Sequence, residues 1–177
     1  MADTHVETRD LSFSLTRIFD APPELVYRAW ADPEMLAAWW GPLPTPSTIT
    51  QDVQAGGAYR WVMHNSNGED YPMTGHFTEV QENLVLEFIS TVEGHDPAWH
   101  QKMVDFYHAS GGAEGTQPSL DLVTRVVFEP YPENRTRQVV TQTYRTAAER
   151  DAFIKMGATG GWSQSFDKLD AVLAAHG

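Results

Sequence analysis

The chain has 177 residues, 41% of them hydrophobic, with 24 acidic and 12 basic side chains, a net charge of −12 and no cysteine. That length suits one domain with a substantial core, and residues 1–177 are expected to form it. A nucleic-acid partner is excluded for want of clustered Lys and Arg, and disulfides, thiolate nucleophiles and cysteine-ligated metals go with the missing cysteines.

The opening MADTHVETRD is charged and has no apolar run behind it, so neither a signal peptide nor a membrane span is expected and the reading is cytoplasmic. Residues 11–19, LSFSLTRIF, alternate apolar and polar as a half-buried strand does, with Leu11, Phe13, Leu15 and Ile18 or Phe19 turned inward. Two short helices follow. Asp20 with Pro22 and Pro23 reads as a cap and first-turn prolines; Asp32, Pro33 and Glu34 repeat the device, and Gly41-Pro42 ends the second helix. Neighbouring helical residues point about 100° apart, so one of Trp39 and Trp40 is expected to be partly exposed.

Beyond the loop GPLPTPS, six strand candidates run as STITQDV, AYRWVMHN, YPMTGHFTEV, LVLEFISTV, LDLVTRVVFEP and TRQVVTQTYR. Gly56-Gly57, Ser66-Asn67-Gly68 and Glu82-Asn83 mark corners of an antiparallel meander. Alternation sets Tyr59, Trp61 and Met63 on one face, then Met73, Gly75 and Phe77, then Leu84, Leu86 and Phe88. Leu122, Thr124, Val126 and Phe128 continue it, with Val140, Gln142 and Tyr144. Residues 93–118 interrupt the meander with an insertion carrying its own capped helix at about 97–109, opened by Asp96-Pro97 and followed by a glycine-rich stretch.

The chain closes with one long helix, about 147–175, opened near Thr146. Ile154, Ala158, Gly161, Trp162, Ser165, Phe166, Leu169, Val172 and Leu173 share its broad apolar face. Small residues in the middle of that face predict either a close approach to the sheet or a space beneath it. A second stripe, Phe153, Met156, Gly157 and Gly160, suits packing under the N-terminal helices or a contact with a second subunit.

Strand, two short helices, curved meander and long C-terminal helix in this order resemble the helix-grip (START-like, SRPBCC) superfamily. The segments TRIFDAPPELVYRAWADPEMLAAWWGP, DVQAGGAYRWVMHNSNGEDYPMTGHFTEV and RDAFIKMGATGGWSQSFDKLDAVL resemble its AHSA-type branch, the heat-shock-protein ATPase activator homologues. The resemblance covers roughly residues 11–92 and 147–174 and departs from the family pattern at the insertion. It implies an α+β fold in which a curved antiparallel sheet of about six to seven strands grips the C-terminal helix. It also implies an apolar or amphipathic small molecule held between helix and sheet, with no cofactor.

The residues expected to line that cavity are Tyr59, Trp61, Met63, Met73, Phe77, Phe88, Thr124, Gln142 and Tyr144 from the sheet, and Ala158, Gly161, Trp162 and Ser165 from the helix. Trp99, Tyr107 and Arg145 are further edge candidates. His64 and His76 flank one hairpin, expected near Tyr71 and Tyr59, and His100 and His108 are out of phase on their helix, so no metal set emerges. The reading is therefore a ligand-binding protein without assigned catalysis. Its alternatives are a cyclase- or hydrolase-type enzyme using Gln142, Tyr144 or Tyr59, and a co-chaperone-like module presenting to a protein partner the acidic middle third, which holds nine acids and one base over residues 61–120; a homodimer is compatible with each.

Overall fold

The computed structural model describes residues 3–92 and 94–177. Glu93, at the start of the insertion, and the first two residues of the domain lie outside the described residues. An eight-stranded antiparallel sheet, in the order β1-β2-β8-β7-β6-β5-β4-β3, forms one layer. Its strands are β1 (His5–Arg9), β2 (Ser12–Phe19), β3 (Thr48–Gln51), β4 (Ala58–His64), β5 (Asp70–Gln81), β6 (Val85–Thr91), β7 (Asp121–Tyr131) and β8 (Arg135–Thr143). From β2 the chain crosses to the far edge through α1 (Pro23–Ala31) and α2 (Pro33–Trp39), then returns strand by strand until β8 pairs with β2.

The sheet has one strand more than the upper expectation, because β1 pairs with β2 at the edge. All five β1 residues are exposed, so the segment carries none of the apolar alternation by which strands are recognised. Leu11 sits in the β1–β2 turn and is exposed, as is Leu84 before β6; both were expected inside, and turn positions do not inherit a strand's alternation. The inward face of β2 is Phe13, Leu15, Arg17 and Phe19. Arg17 is buried there because Asp167 and Asp170 reach down from the last helix, Asp167 at 2.8 Å.

Asp32 caps α2, accepting from the backbone N–H of Glu34 and Met35. Asp20 does not cap α1, whose cap position is Pro22; the paired prolines carry the helix start beyond the reach of Asp20. Trp39 and Trp40 are both buried. Trp40 is already extended, with ψ 124°, so the 100° rule ends before it and its indole turns back under α2, 4.6 Å from the Trp61 ring. With Trp40 and Phe153 covered inside the chain, those surfaces supply no reason for a second subunit.

The insertion forms α3 (Pro97–Ala109), capped by Asp96 onto the Trp99 N–H. Met103 and Tyr107 bury themselves, Tyr107 sharing a hydrogen bond with Thr116. The expected single closing helix is two, α4 (Ala147–Lys155) and α5 (Ala158–His176). Thr146 and Glu149 close a capping box at the start of α4, and Gly157, at φ +97°, breaks the run. An L-residue in that left-handed region is strained, so the glycine supplies the bend that propensity alone conceals. Val172, on the expected face, is half-buried, whereas Trp162, Ser165, Phe166, Leu169 and Leu173 of α5 are buried beneath it.

Candidate functional site

Along α5 the interior changes character. Toward the N-terminal helices it is solid: Trp30 packs between Trp39 and Trp162, at 4.8 and 6.0 Å, and donates its indole N–H to Gln138 at 2.8 Å. Trp61, Tyr59, Phe77 and Phe88 continue this aromatic block on the sheet. Gly75 lets it close, since a Cβ there would run into the Ile89 carbonyl and lie 2.7 Å from the Tyr59 oxygen.

Beside the block lies a cavity of about 240 Å³. Met63, Met73, Leu122 and Gln142 from four strands form its floor, and Ala158, Gly161 and Ser165 of α5 its roof. Trp40, Pro42 and Trp162 line it beside α2 and the loop after it and Phe153, Met156 and Gly157 beside the α4–α5 bend, while Tyr71, Val92, His95 and Trp99 are contributed by β5, the end of β6 and the insertion. The break at Gly157 is what brings Phe153 inward, 4.9 Å from the Tyr144 ring. The stripe read as a second face thus becomes a wall of the cavity, with Gly160 left open to solvent. Roof and floor stay apart because small side chains on the helix face unbranched methionines on the sheet.

Of the residues expected to line the site, Met63, Met73, Gln142, Ala158, Gly161, Trp162 and Ser165 meet around this space. Tyr59, Trp61, Phe77, Phe88, Thr124 and Tyr144 lie in the packed interior beside it. Thr124 and Tyr144 touch it through Gln142, whose amide N–H donates to Thr124 at 3.1 Å and whose carbonyl accepts from the Tyr144 hydroxyl at 3.2 Å. Trp99 reaches the cavity, whereas Tyr107 packs within the insertion and Arg145 pairs with Asp121 at the surface.

Tyr71, His95, Phe153 and Met156 were not expected. The break at Gly157 brings in Phe153 and Met156 and the fold-back of the insertion brings in His95, neither leaving a periodic signal; Tyr71 lies two residues before Met73 on β5, on the face that alternation marks. Lys168 secures another wall: its ammonium donates to the Gly41 and Leu43 carbonyls, at 3.0 and 2.8 Å, and so ties the loop bearing Pro42 to α5. Burial without a carboxylate partner lowers its pKa.

The lining carries little charge. Among the described residues it contains no Lys, Arg, Asp or Glu. Burial lowers the pKa of His95, against a smaller opposing pull from the Pro72 carbonyl, and its ring is wedged between Tyr71 and Trp99, with centroids at 5.1 and 4.5 Å. The Tyr59 and Tyr144 hydroxyls are pushed well above the usual phenol range by burial, which keeps both protonated. Among the described residues no cluster of three His, Asp or Glu is disposed to hold a metal ion.

A second constellation lies at the sheet edge. Thr48 Oγ1 meets His64 Nε2 at 2.7 Å, and His64 Nδ1 meets Asp70 at 2.6 Å. The expected pairings were one residue out: His64 faces Asp70, Met63 faces Tyr71, and His76 faces Ala58. The trio has the order of a nucleophile, a base and its orienting carboxylate, but Thr48 and Asp70 are exposed and water competes for every member.

Residues 20–174 match the family model described as Activator of Hsp90 ATPase homolog 1-like protein. The chain belongs to this family. It is accordingly a helix-grip protein of the SRPBCC superfamily, AHSA-type branch, and the family's members are typically non-catalytic ligand-binding or co-chaperone modules.

Among solved structures, a protein of Arthrobacter aurescens determined by NMR is 27% identical, with a TM-score of 0.76 over 97% of this chain and 91% of that one. A Mycobacterium smegmatis protein is 24% identical, with a TM-score of 0.74 over 97% and 95% of the two chains. One from Nitrosomonas europaea is 23% identical, with a TM-score of 0.75 over 96% and 98%. At such identities the last two speak for the fold alone. No curated protein matches the chain. Among the described residues no helix is long and apolar enough to cross a membrane.

Proposed function

We propose that this protein, one domain with the α3 insertion as part of its wall, binds a small apolar or amphipathic molecule between α5 and the sheet and performs no chemistry on it. The observation that carries the reading is the cavity itself. An apolar space of about 240 Å³ adjoins an interior that is elsewhere filled with large aromatic rings, and a well-formed apolar pocket with few polar groups is the usual form of a small-molecule site. Burial holds the Tyr59 and Tyr144 phenols protonated, so neither supplies the base that a cyclase or hydrolase would need. His95 is wedged between Tyr71 and Trp99, and its Nδ1 is buried without a hydrogen-bond partner, so it lacks the orienting group that a catalytic base carries.

Native mass spectrometry of the protein taken directly from cell extract tests the reading. A small-molecule adduct is expected, released on denaturation and missing from an Ala158→Phe variant whose ring fills the space. Identical adduct-free masses for both proteins, with the variant folded, would contradict it.

A further inference from the structure

The lining of the cavity restricts the chemical class of what it can hold, an inference that rests on the ligand-binding reading above. Charge is the first restriction. No Lys, Arg, Asp or Glu lines the space among the described residues, and burial favours the neutral form of His95. An ionised group brought inside would lose its hydration with no counter-charge to replace it, and that penalty amounts to several kcal/mol in a protein interior.

Size is the second restriction. An engineered cavity of roughly 150 Å³ lined by apolar side chains holds benzene. A cavity of about 240 Å³ therefore suits two fused rings. The walls are the third: Trp40, Trp162 and Phe153 present aromatic surface, and Met63, Met73 and Met156 present polarizable side chains that make favourable contacts with rings.

Hydrogen-bonding capacity is the last. Gln142 is fixed by Thr124 and Tyr144 through one N–H and one lone pair; a primary amide has one further N–H and one further lone pair to offer. Ser165 spends its hydroxyl proton on the Gly161 carbonyl, at 2.9 Å, and retains only acceptor capacity. A hydroxyl, which donates and accepts at once, satisfies the spare capacity of Gln142 with a single group.

We infer that the cavity takes an uncharged, fused-ring aromatic molecule bearing a single hydroxyl, with the hydroxyl on Gln142. Isothermal titration of the full chain with 1-naphthol, naphthalene, 1-naphthoate and decanoate tests this. 1-Naphthol should bind roughly three- to ten-fold tighter than naphthalene, the net worth of one neutral hydrogen bond, and at least ten-fold tighter than either anion. Gln142→Leu should bring 1-naphthol and naphthalene to equal affinity; Ser165→Ala, which removes a single acceptor and leaves the amide untouched, should retain the preference in part.

Tighter binding of 1-naphthoate or decanoate than of 1-naphthol would overturn the ligand class while leaving the cavity a binding site. A preference for 1-naphthol unchanged in both variants would overturn the assignment of the hydroxyl to Gln142. Failure of all four compounds to bind would overturn the class, while the ligand-binding reading beneath it stands or falls on the native adduct.

Discussion

The two halves of the interior share one sheet and one helix, yet one is closed and the other open. Around Trp30, Trp39 and Trp61, each at most 1% exposed, large rings interlock edge to face. Around Gln142, small residues on α5 meet flexible methionines, and space remains. Bulk on both surfaces closes the first half; glycine and alanine on one surface, with a helix broken at Gly157, keep the second apart. Stability is thus concentrated in one half, and the capacity to accept another molecule in the other.

The contrast is sharpest when comparable truncations are made on each side. Trp30→Ala, which empties the centre of the closed half and strands Gln138, should cost about 3–5 kcal/mol in urea unfolding. Met73→Ala, in a wall that already borders empty space, should cost only about 1 kcal/mol, below the usual range for a buried methionine. Equal losses would erase the distinction.

The next effect concerns how α5 is held over the sheet. Arg17 is 2% exposed and relies on Asp167 and Asp170, so the double change Asp167→Asn and Asp170→Asn leaves a buried guanidinium without counter-charge. A loss of roughly 3 kcal/mol follows for breaking a buried ion pair. Because both carboxylates are themselves partly exposed, solvent screening should bring the measured value toward the lower side.

Gly157→Ala probes the bend. Nothing lies within 4 Å of the new Cβ, so the expected cost of about 1–2 kcal/mol is purely conformational. Gly161→Ala is the counterpart. Its Cβ would meet Pro42 at 3.8 Å, an ordinary contact, so it should stabilise α5 by up to about 1 kcal/mol. Destabilisation by Gly161→Ala would mean that the roof lies closer to the floor than described.

The smallest effect is that of pH. The folded state lowers the pKa of His95 from its ordinary value of 6.5, so the unfolded chain takes up this proton more readily. Stability should therefore fall as pH drops from about 7 through the lowered native value, then level off. His95→Gln should flatten that stretch of the stability curve, and an identical curve would remove the wedged imidazole from consideration.

Much of the fold was legible in the sequence because its punctuation is local. Asp32-Pro33-Glu34, Asp96-Pro97 and Thr146 each fix a helix start through contacts within a turn, and β7 and β8 alternate cleanly. What escaped depends on contacts distant in sequence or on single dihedral angles. β1 has no buried face. Arg17 is polar on an inward position because two aspartates far along the chain arrive to meet it. Gly157 falls inside the one helix expected there, whereas its positive φ makes two.

The cavity shows the same division. Gln142, Gly161 and Ser165 follow from alternation and helical phase, and Trp99 was expected at the edge, but His95 reaches it through the folded-back insertion and Phe153 through the bend. Tyr59 and Trp61 were placed on the correct face of the sheet, yet a face does not tell which end of it is filled.

The most direct measurement is a crystal structure of the protein pressurised with xenon, which enters dry apolar cavities and not close-packed cores. Ordered xenon between Met73 and Gly161, with none among Trp30, Trp39 and Trp61, is the expected result. A xenon-free map in which the methionine side chains occupy the space beneath Gly161 would contradict it.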